Sequence, residues 1–330
     1  MRTISDEQQR LIDDAIGELS LALSPAILEK DILVTEALRA LSQVNLSGLT
    51  LTFSGGTCLA KAYQLLERMS EDIDLRLQIE NQGDLSRSAL RRVLSELKRS
   101  LIETFRAVQF DLSDEAIAAR NENHFISFDL AYASRYPREV VLRPIVRVEF
   151  TAIPPRRATA PLTFAPLIDK LTQRTTAPTV TLACLSIEET FCEKIISYLR
   201  RATEHLTRRE NSQYEERLAR HVYDVHQIVT LHYGKSSLRP PQDLFAVILA
   251  ADSEQYGNRI DGFRADPAGT LRRTLEQIPR QPEFREHYER FVAELVYGER
   301  RPTFDEAFAT FQNAADALLR STVETNTTSV

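Results

Sequence analysis

Apolar and polar positions follow two rhythms along this chain. Over residues 5–45 Leu11, Ile12, Ile16 and Leu19 recur at helical spacing, and Ser24-Pro25 opens a second helix reaching about Leu41. Serine caps unpaired amides and proline has no amide donor to lose, so the pair marks a helix start. The rhythm then shortens to two. Residues 49–53 form a brief β-rich run, and Ile73, Leu75, Leu77 and Ile79 alternate with polar neighbours, the pattern of a strand with one buried face. Between these runs, Ser-Gly-Gly leads into a helix bearing Leu59, Ala62, Tyr63 and Leu66. The expected order is strand, glycine turn, helix, strand.

Residues 85–107 read as a basic amphipathic helix, while FISFDLAY (125–132) and RPIVRVEFTAI (143–153) alternate like an antiparallel pair. The stretch IPPRRATAP (153–161) reads as a loop leaving this region. From Ser186 the pattern is helical. SIEETFCEKIISYLRR opens with a capping box, Ser186 and Glu189, then YEERLARHVYDVHQIVTLHY and further helices continue to about Leu319. The fold class expected is α+β: a mixed β-sheet with flanking helices over residues 1–160, an all-helical domain over 161–320, and a frayed tail over 321–330.

Composition narrows the class without naming a chemistry. At 330 residues with 43% hydrophobic and 27% charged positions, two domains can each bury a core. No apolar run is long enough to span a bilayer and residues 1–10 lack a signal h-region, so the cytoplasm is the expected address. The three cysteines show no CxxC spacing, which supports neither a disulfide framework nor a zinc site. A net charge of −6 argues against a chain coated in basic charge for general nucleic-acid binding. Two local strips differ: residues 135–157 carry Arg135, Arg138, Arg143, Arg147, Arg156 and Arg157 against Glu139 and Glu149, and residues 85–106 carry six cations against two glutamates. Each reads as a solvated face unless it borders a site.

The segment FSGGTCLAKAYQLLERMSEDIDLRL (53–77) is where chemistry enters. After Ser54, Gly55 and Gly56 permit a tight bend at a helix start, where free amides favour a phosphate, and Thr57 can add a hydroxyl. Asp72 and Asp74, two apart in a strand, point to one face about 6.6 Å apart, and two such carboxylates can share divalent ions. Lys61, one turn into the helix, and Arg68 and Ser70, at the approach to the acidic strand, are further candidates near a nucleotide. Either half of this pattern alone is weak; together they define a candidate active site.

GGT, a helix and SEDID resemble the nucleotidyltransferase-fold superfamily that includes DNA polymerase beta. More closely, FSGGTCLAKAY followed by RMSEDIDL is similar to the AbiEii/AbiGii toxin family of type IV toxin–antitoxin and abortive-infection systems. The resemblance implies a third carboxylate on a neighbouring strand, for which Glu149 in RVEF is preferred and Asp129 in SFDL competes. It implies a lysine for the triphosphate on the first C-terminal helix, which falls on Lys194, and a last motif in RHVYDVHQI that contains Asp224. That aspartate orients Lys194, contacts nucleotide, or simply pairs with Arg220 at i−4. His221 and His226 are five apart, the wrong spacing for a shared helical metal face. The implied cofactor is Mg2+ or Mn2+ on Asp72, Asp74 and Glu149, with an NTP as substrate, the tRNA 3′ end as acceptor and a nearby-encoded antitoxin as partner. A small-molecule nucleotidyltransferase and a non-catalytic nucleotide-binding regulator are the alternative readings.

Overall fold

The computed structural model describes residues 1–19, 23–46, 48–137, 142–175, 177–207, 216–234 and 240–327, without the side chains of residues 18, 19, 216 and 321–327. Arg138 and Glu139 of the basic strip, the Leu19 side chain, residues 214–215 at the expected start of a helix, and residues 328–330 of the tail lie outside the described set.

The chain divides into two compact units, Met1–Ser186 and Ile187–Val330. The division falls beyond the expected boundary at residue 160, because the strands Ala160–Phe164 and Val180–Cys184, lying almost wholly in the residues expected to be all-helical, belong to the first unit.

In the first unit α1 (Asp6–Leu19) precedes α2 (Pro25–Ser42), whose N-cap Ser24 accepts from the Ile27 amide. Helix α2 is buried along almost its whole length. Its polar exceptions all find partners: Glu29 accepts from the Arg135 amide, Lys30 pairs with Glu71, and Asp31 pairs with Lys61. Next come β1 (Leu49–Ser54), α3 (Gly55–Lys61) and β2 (Asp72–Ile79), in the order the sequence predicts. Helix α3 is shorter than expected. Its C-cap is Ala62, and Gln64 enters the left-handed region at φ 54°, so Leu66 is buried from an irregular segment and not from a helix face.

Helix α4 (Arg87–Ala107) starts at the capping Ser86 and buries Leu94, Leu97, Leu101 and Phe105. Strands β3 (Ile117–Arg120), β4 (Phe125–Ala131) and β5 (Ile145–Thr151) follow, then β6 (Ala160–Phe164), α5 (Leu167–Thr172) and β7 (Val180–Cys184). The seven-stranded mixed sheet runs β3-β4-β5-β2-β1-β7-β6. Strands β4 and β5 form the expected antiparallel pair, whereas β2 lies parallel to β5 and β1 parallel to β7.

Packing of the sheet decides where chemistry can occur. Phe105 of α4 meets Phe128 of β4 edge-on at 5.4 Å, and Phe128 meets Phe150 of β5 at 5.8 Å. Ile73, Leu75, Val148 and Leu130 are buried on the same side, each such side chain contributing about 1.5–3 kcal/mol. One sheet face is thus sealed by α2 and α4. Strand alternation leaves the polar positions of β2, β4 and β5 on the opposite, half-exposed face.

The second unit is helical. In it α6 (Ile187–Thr207), α7 (Ala219–Ile228), α8 (Gln242–Tyr256), α9 (Pro267–Gln277), α10 (Pro282–Leu295) and α11 (Phe304–Thr327) pack around Phe191, Ile195, Leu199 and Phe311. A π-helical turn, Val229–Tyr233, continues α7. Arg200 of α6 lies 3.0 Å from Asp252 and stacks 3.9 Å over Tyr256, which ties α6 to α8. The backbone of α11 is helical to Thr327, over most of the segment expected to fray.

Candidate active site

Register builds the site. Asp74 of β2 is the direct partner of Glu149 on β5 and of Ser54 on β1. One pleat away, Asp72 partners Arg147, which in turn partners Asp129 on β4. Direct partners on neighbouring strands point the same way, so Asp72, Asp74, Glu149 and Asp129 share the face that the helices leave open.

The glycine bend meets this face at one of the acids. Gly55 has φ +74°, and a Cβ built on it would lie 2.0 Å from Asp74 Oδ2. Only glycine gives this turn together with room for that carboxylate. Gly56 serves the support beneath: a Cβ there would come 2.5 Å from Arg68 Nη2 and 3.3 Å from Ser70 Oγ. The turn and the approach to β2 are woven together by side chains. The Thr57 hydroxyl donates to the Asp72 carbonyl and meets Ser70 Oγ at 2.8 Å, Ser54 Oγ donates to the Asp74 carbonyl at 3.1 Å, and Arg68 Nη1 donates to the Met69 carbonyl at 2.9 Å.

These contacts sort the sequence candidates. Ser54, Thr57, Arg68 and Ser70 are buried and hold the bend against the acidic strand, so the extra phosphate-binding hydroxyl expected of Thr57 is engaged within the fold. Lys61 departs furthest from expectation. Its Nζ lies 2.6 Å from Asp31 Oδ1 and donates to Thr35 Oγ1 at 2.8 Å, so it anchors α3 to α2. Asp129 receives Arg147 through two parallel bonds of 2.6 and 2.7 Å, while Glu149 stands beside Asp74. Burial, and then the negative charges of Asp74 and Asp72, push the Glu149 carboxyl up to about 7.

Three residues absent from the sequence reading of the site complete it. Lys30 pairs with Glu71, and the guanidinium of Arg143 reaches Asp72 at 2.8 Å. Glu71 sits inside the acidic motif and Arg143 inside a basic strip, but nothing in the sequence shows that Lys30, one of several charges on α2, meets them. Among the described residues no three acidic, histidine or cysteine side chains close around one point, and Asp72 is directed at Arg143. The donor set nevertheless fits a divalent cation: it offers oxygens only, the preference of a hard ion, and it places Asp72, Asp74 and Glu149 on one face.

In the second unit, Lys194 on α6 pairs with Asp224 on α7 at 2.7 Å. The carboxylate is fully buried and the lysine side chain is 7% exposed. Asp224 is thus in contact with Lys194, one of the alternatives open for it. Burial, followed by the charge of Lys194, holds His221 well below its usual range.

A model of the family described as nucleotidyl transferase AbiEii toxin, type IV toxin–antitoxin system, matches residues 36–310. The chain belongs to this family, and so to the nucleotidyltransferase toxins of such systems. Among solved structures, it is similar to JHP933 from Helicobacter pylori at 13% identity and TM-score 0.46, covering 93% of this chain and 97% of that one. It is also similar to MenT4, a nucleotidyltransferase toxin from Mycobacterium tuberculosis, at 18% identity and TM-score 0.38, covering 94% and 98%. No curated protein sequence matches. None of the described helices is long and apolar enough to cross a membrane.

Proposed function

We propose that this chain transfers a nucleoside monophosphate from an NTP to the 3′ hydroxyl of tRNA in the cytoplasm, releasing pyrophosphate and blocking aminoacylation, with a cognate antitoxin as its partner. The observation that carries the transfer chemistry is the junction at Asp74: the positive-φ glycine of an SGG bend touches this carboxylate, beside Asp72 on the same strand and Glu149 on the next. The tRNA acceptor and the antitoxin come from kinship with the toxin family.

Asp72, Asp74 and Glu149 would hold the divalent cation, Mg2+ or Mn2+, which when bound neutralises the phosphate charge that builds up during transfer. The backbone at Gly55 and Gly56 seats the phosphates near the acids, and the buried Thr57, Ser70 and Arg68 keep that bend rigid. Rigid placement matters because phosphoryl-type transfer is accelerated mainly by positioning and charge. Glu149 has two alternative roles there: as a ligand of that cation, or as the base that accepts the proton as the acceptor oxygen bonds to the α-phosphorus and the bond to pyrophosphate breaks. Lys194 is assigned to the triphosphate and Asp224 to fixing the lysine ammonium, a point charge suited to phosphate oxygens.

The test is incubation with labelled NTPs and total tRNA. The expected product is tRNA extended at its 3′ end, absent with Asp72→Ala or Asp74→Ala protein that remains folded. Label appearing on a small molecule with none on RNA would replace the acceptor; unchanged transfer by either variant would overturn the site.

A further inference from the structure

A carboxylate grips a cation with its oxygens, and at Asp72 both oxygens already face one nitrogen. Arg143 Nη2 lies 2.8 Å from Oδ1 and 2.9 Å from Oδ2. This cation is anchored. The Arg143 backbone amide donates to Glu71 Oε2 at 3.1 Å, Nε stands 3.4 Å from Glu71 Oε1, and its carbonyl accepts from Lys30 Nζ at 2.6 Å. Lys30 also donates to the carboxylate of Glu71, and its side chain is fully buried in α2. Glu71 and Lys30 thus clamp Arg143 at main chain and side chain together, from a helix 41 residues upstream of the acidic motif.

We propose that Arg143 is the resident counter-ion of Asp72, competing with the divalent cation for that carboxylate and so setting how tightly the site takes its metal. The inference rests on reading Asp72, Asp74 and Glu149 as the cation site. It follows from geometry and charge. The guanidinium covers the side of the carboxylate that would otherwise present two oxygens to an ion, and it brings positive charge to the place where a second positive charge must arrive. Without it, a three-acid face would stand exposed to its own repulsion in the metal-free protein. The Lys30–Glu71 clamp keeps the guanidinium from swinging into solvent, so the competition is local and persistent. When a cation displaces it, the same guanidinium becomes free for another anion beside the acids.

Direct binding of Mn2+, followed by the loss of its free paramagnetic signal in the absence of nucleotide, tests this on the full chain. Arg143→Met should bind Mn2+ about ten-fold more tightly than the natural protein, the scale on which groups adjoining metal ligands tune affinity. Arg143→Lys, which keeps a charge on a compact ammonium without the planar fork, should fall between them and provides a second variant should the methionine protein fold poorly. Asp72→Asn should weaken binding. Tighter binding in both Arg143 variants, or binding that appears only in them, supports the proposal. Equal or weaker binding by folded Arg143 variants beside a natural protein that binds Mn2+ would overturn it while leaving the nucleotidyl-transfer reading intact. If no protein in the series binds Mn2+, the cation site and this proposal fall together.

Discussion

Adding one methyl group at Gly55 probes the junction on which the transfer reading depends. In Gly55→Ala the new carbon would sit 2.0 Å from Asp74 Oδ2 and 2.8 Å from its Cγ. Restoring ordinary contact at 3.4 Å requires the carboxylate or the bend to move by about 1.4 Å, and a misplacement of about 1 Å in a site of this kind costs about 100-fold. That corresponds to about 2.7 kcal/mol of transition-state stabilisation. The backbone adds its own term, since φ +74° in a residue with a side chain costs about 1–2 kcal/mol of stability. Gly55→Ala should therefore remain folded with a lower urea midpoint and show kcat/KM for pyrophosphate release, with NTP and total tRNA, reduced about 100-fold. Gly262→Ala, at the same φ of +74° and with nothing within 4 Å of an added Cβ, is the matched control. Should folded Gly55→Ala retain activity within about three-fold of the natural chain, less than 1 kcal/mol on the same scale, contact between bend and acid would not matter to catalysis.

Other substitutions separate roles that the structure distinguishes. Glu149→Gln should lower kcat by about 100-fold or more, the range for losing a general base, whereas Asp129→Asn, which loosens a partly exposed pair with Arg147, should cost at most about 1 kcal/mol of stability and little rate; the reverse ranking in a pyrophosphate-release assay would exchange their assignments. Lys61→Met leaves the Asp31 carboxylate without its cation in the interior and should cost about 3–5 kcal/mol in urea unfolding, with turnover of the folded fraction unchanged. A loss of turnover without a loss of stability would return Lys61 to the nucleotide. Burial holds His226 and His221 below the usual histidine range, so below about pH 6.5 the unfolded chain takes up protons that the folded chain refuses. Their contribution is fully present above that pH and is lost as pH falls toward the folded values, by up to about 1.4 kcal/mol per histidine per pH unit. Glu149, pushed up to about 7, opposes this loss equally in both proteins, so between pH 8 and pH 5.5 the urea midpoint of His226→Gln should fall less, or rise more, than that of the natural chain; an equal pH dependence in the variant would remove His226 from the account.

What could be read from the sequence divides according to the range of the interaction. Alternation in β2, β4 and β5 is a local signal, and because i and i+2 must share a face, spacing alone puts the Asp72 and Asp74 carboxylates together. The glycine bend was legible for the same reason, since Gly-Gly at a strand end restricts what the backbone does next. Pairing across strands was not local. Glu149 and Asp129 look alike within their own segments, and they differ only because β5 lies parallel to β2 with Glu149 opposite Asp74, while Asp129 faces Arg147. Strand β6 escaped because it is an edge strand with Pro161 inside it, where a missing amide donor is tolerated, and that composition reads as loop. The destination of Lys61 depended on where α3 stops, and the left-handed Gln64 that follows is neither glycine nor proline. Most hidden of all was the set Lys30, Glu71 and Arg143, three charges drawn from a buried helix, an acidic motif and a basic strip. Each has an ordinary local reading as a solvated charge. Only the fold makes Lys30 a buried ion whose desolvation must be met by partners, and those partners hold Arg143 against Asp72. The acids that define the chemistry can thus be found from spacing, whereas the charge that balances them can be found only after the chain has closed on itself.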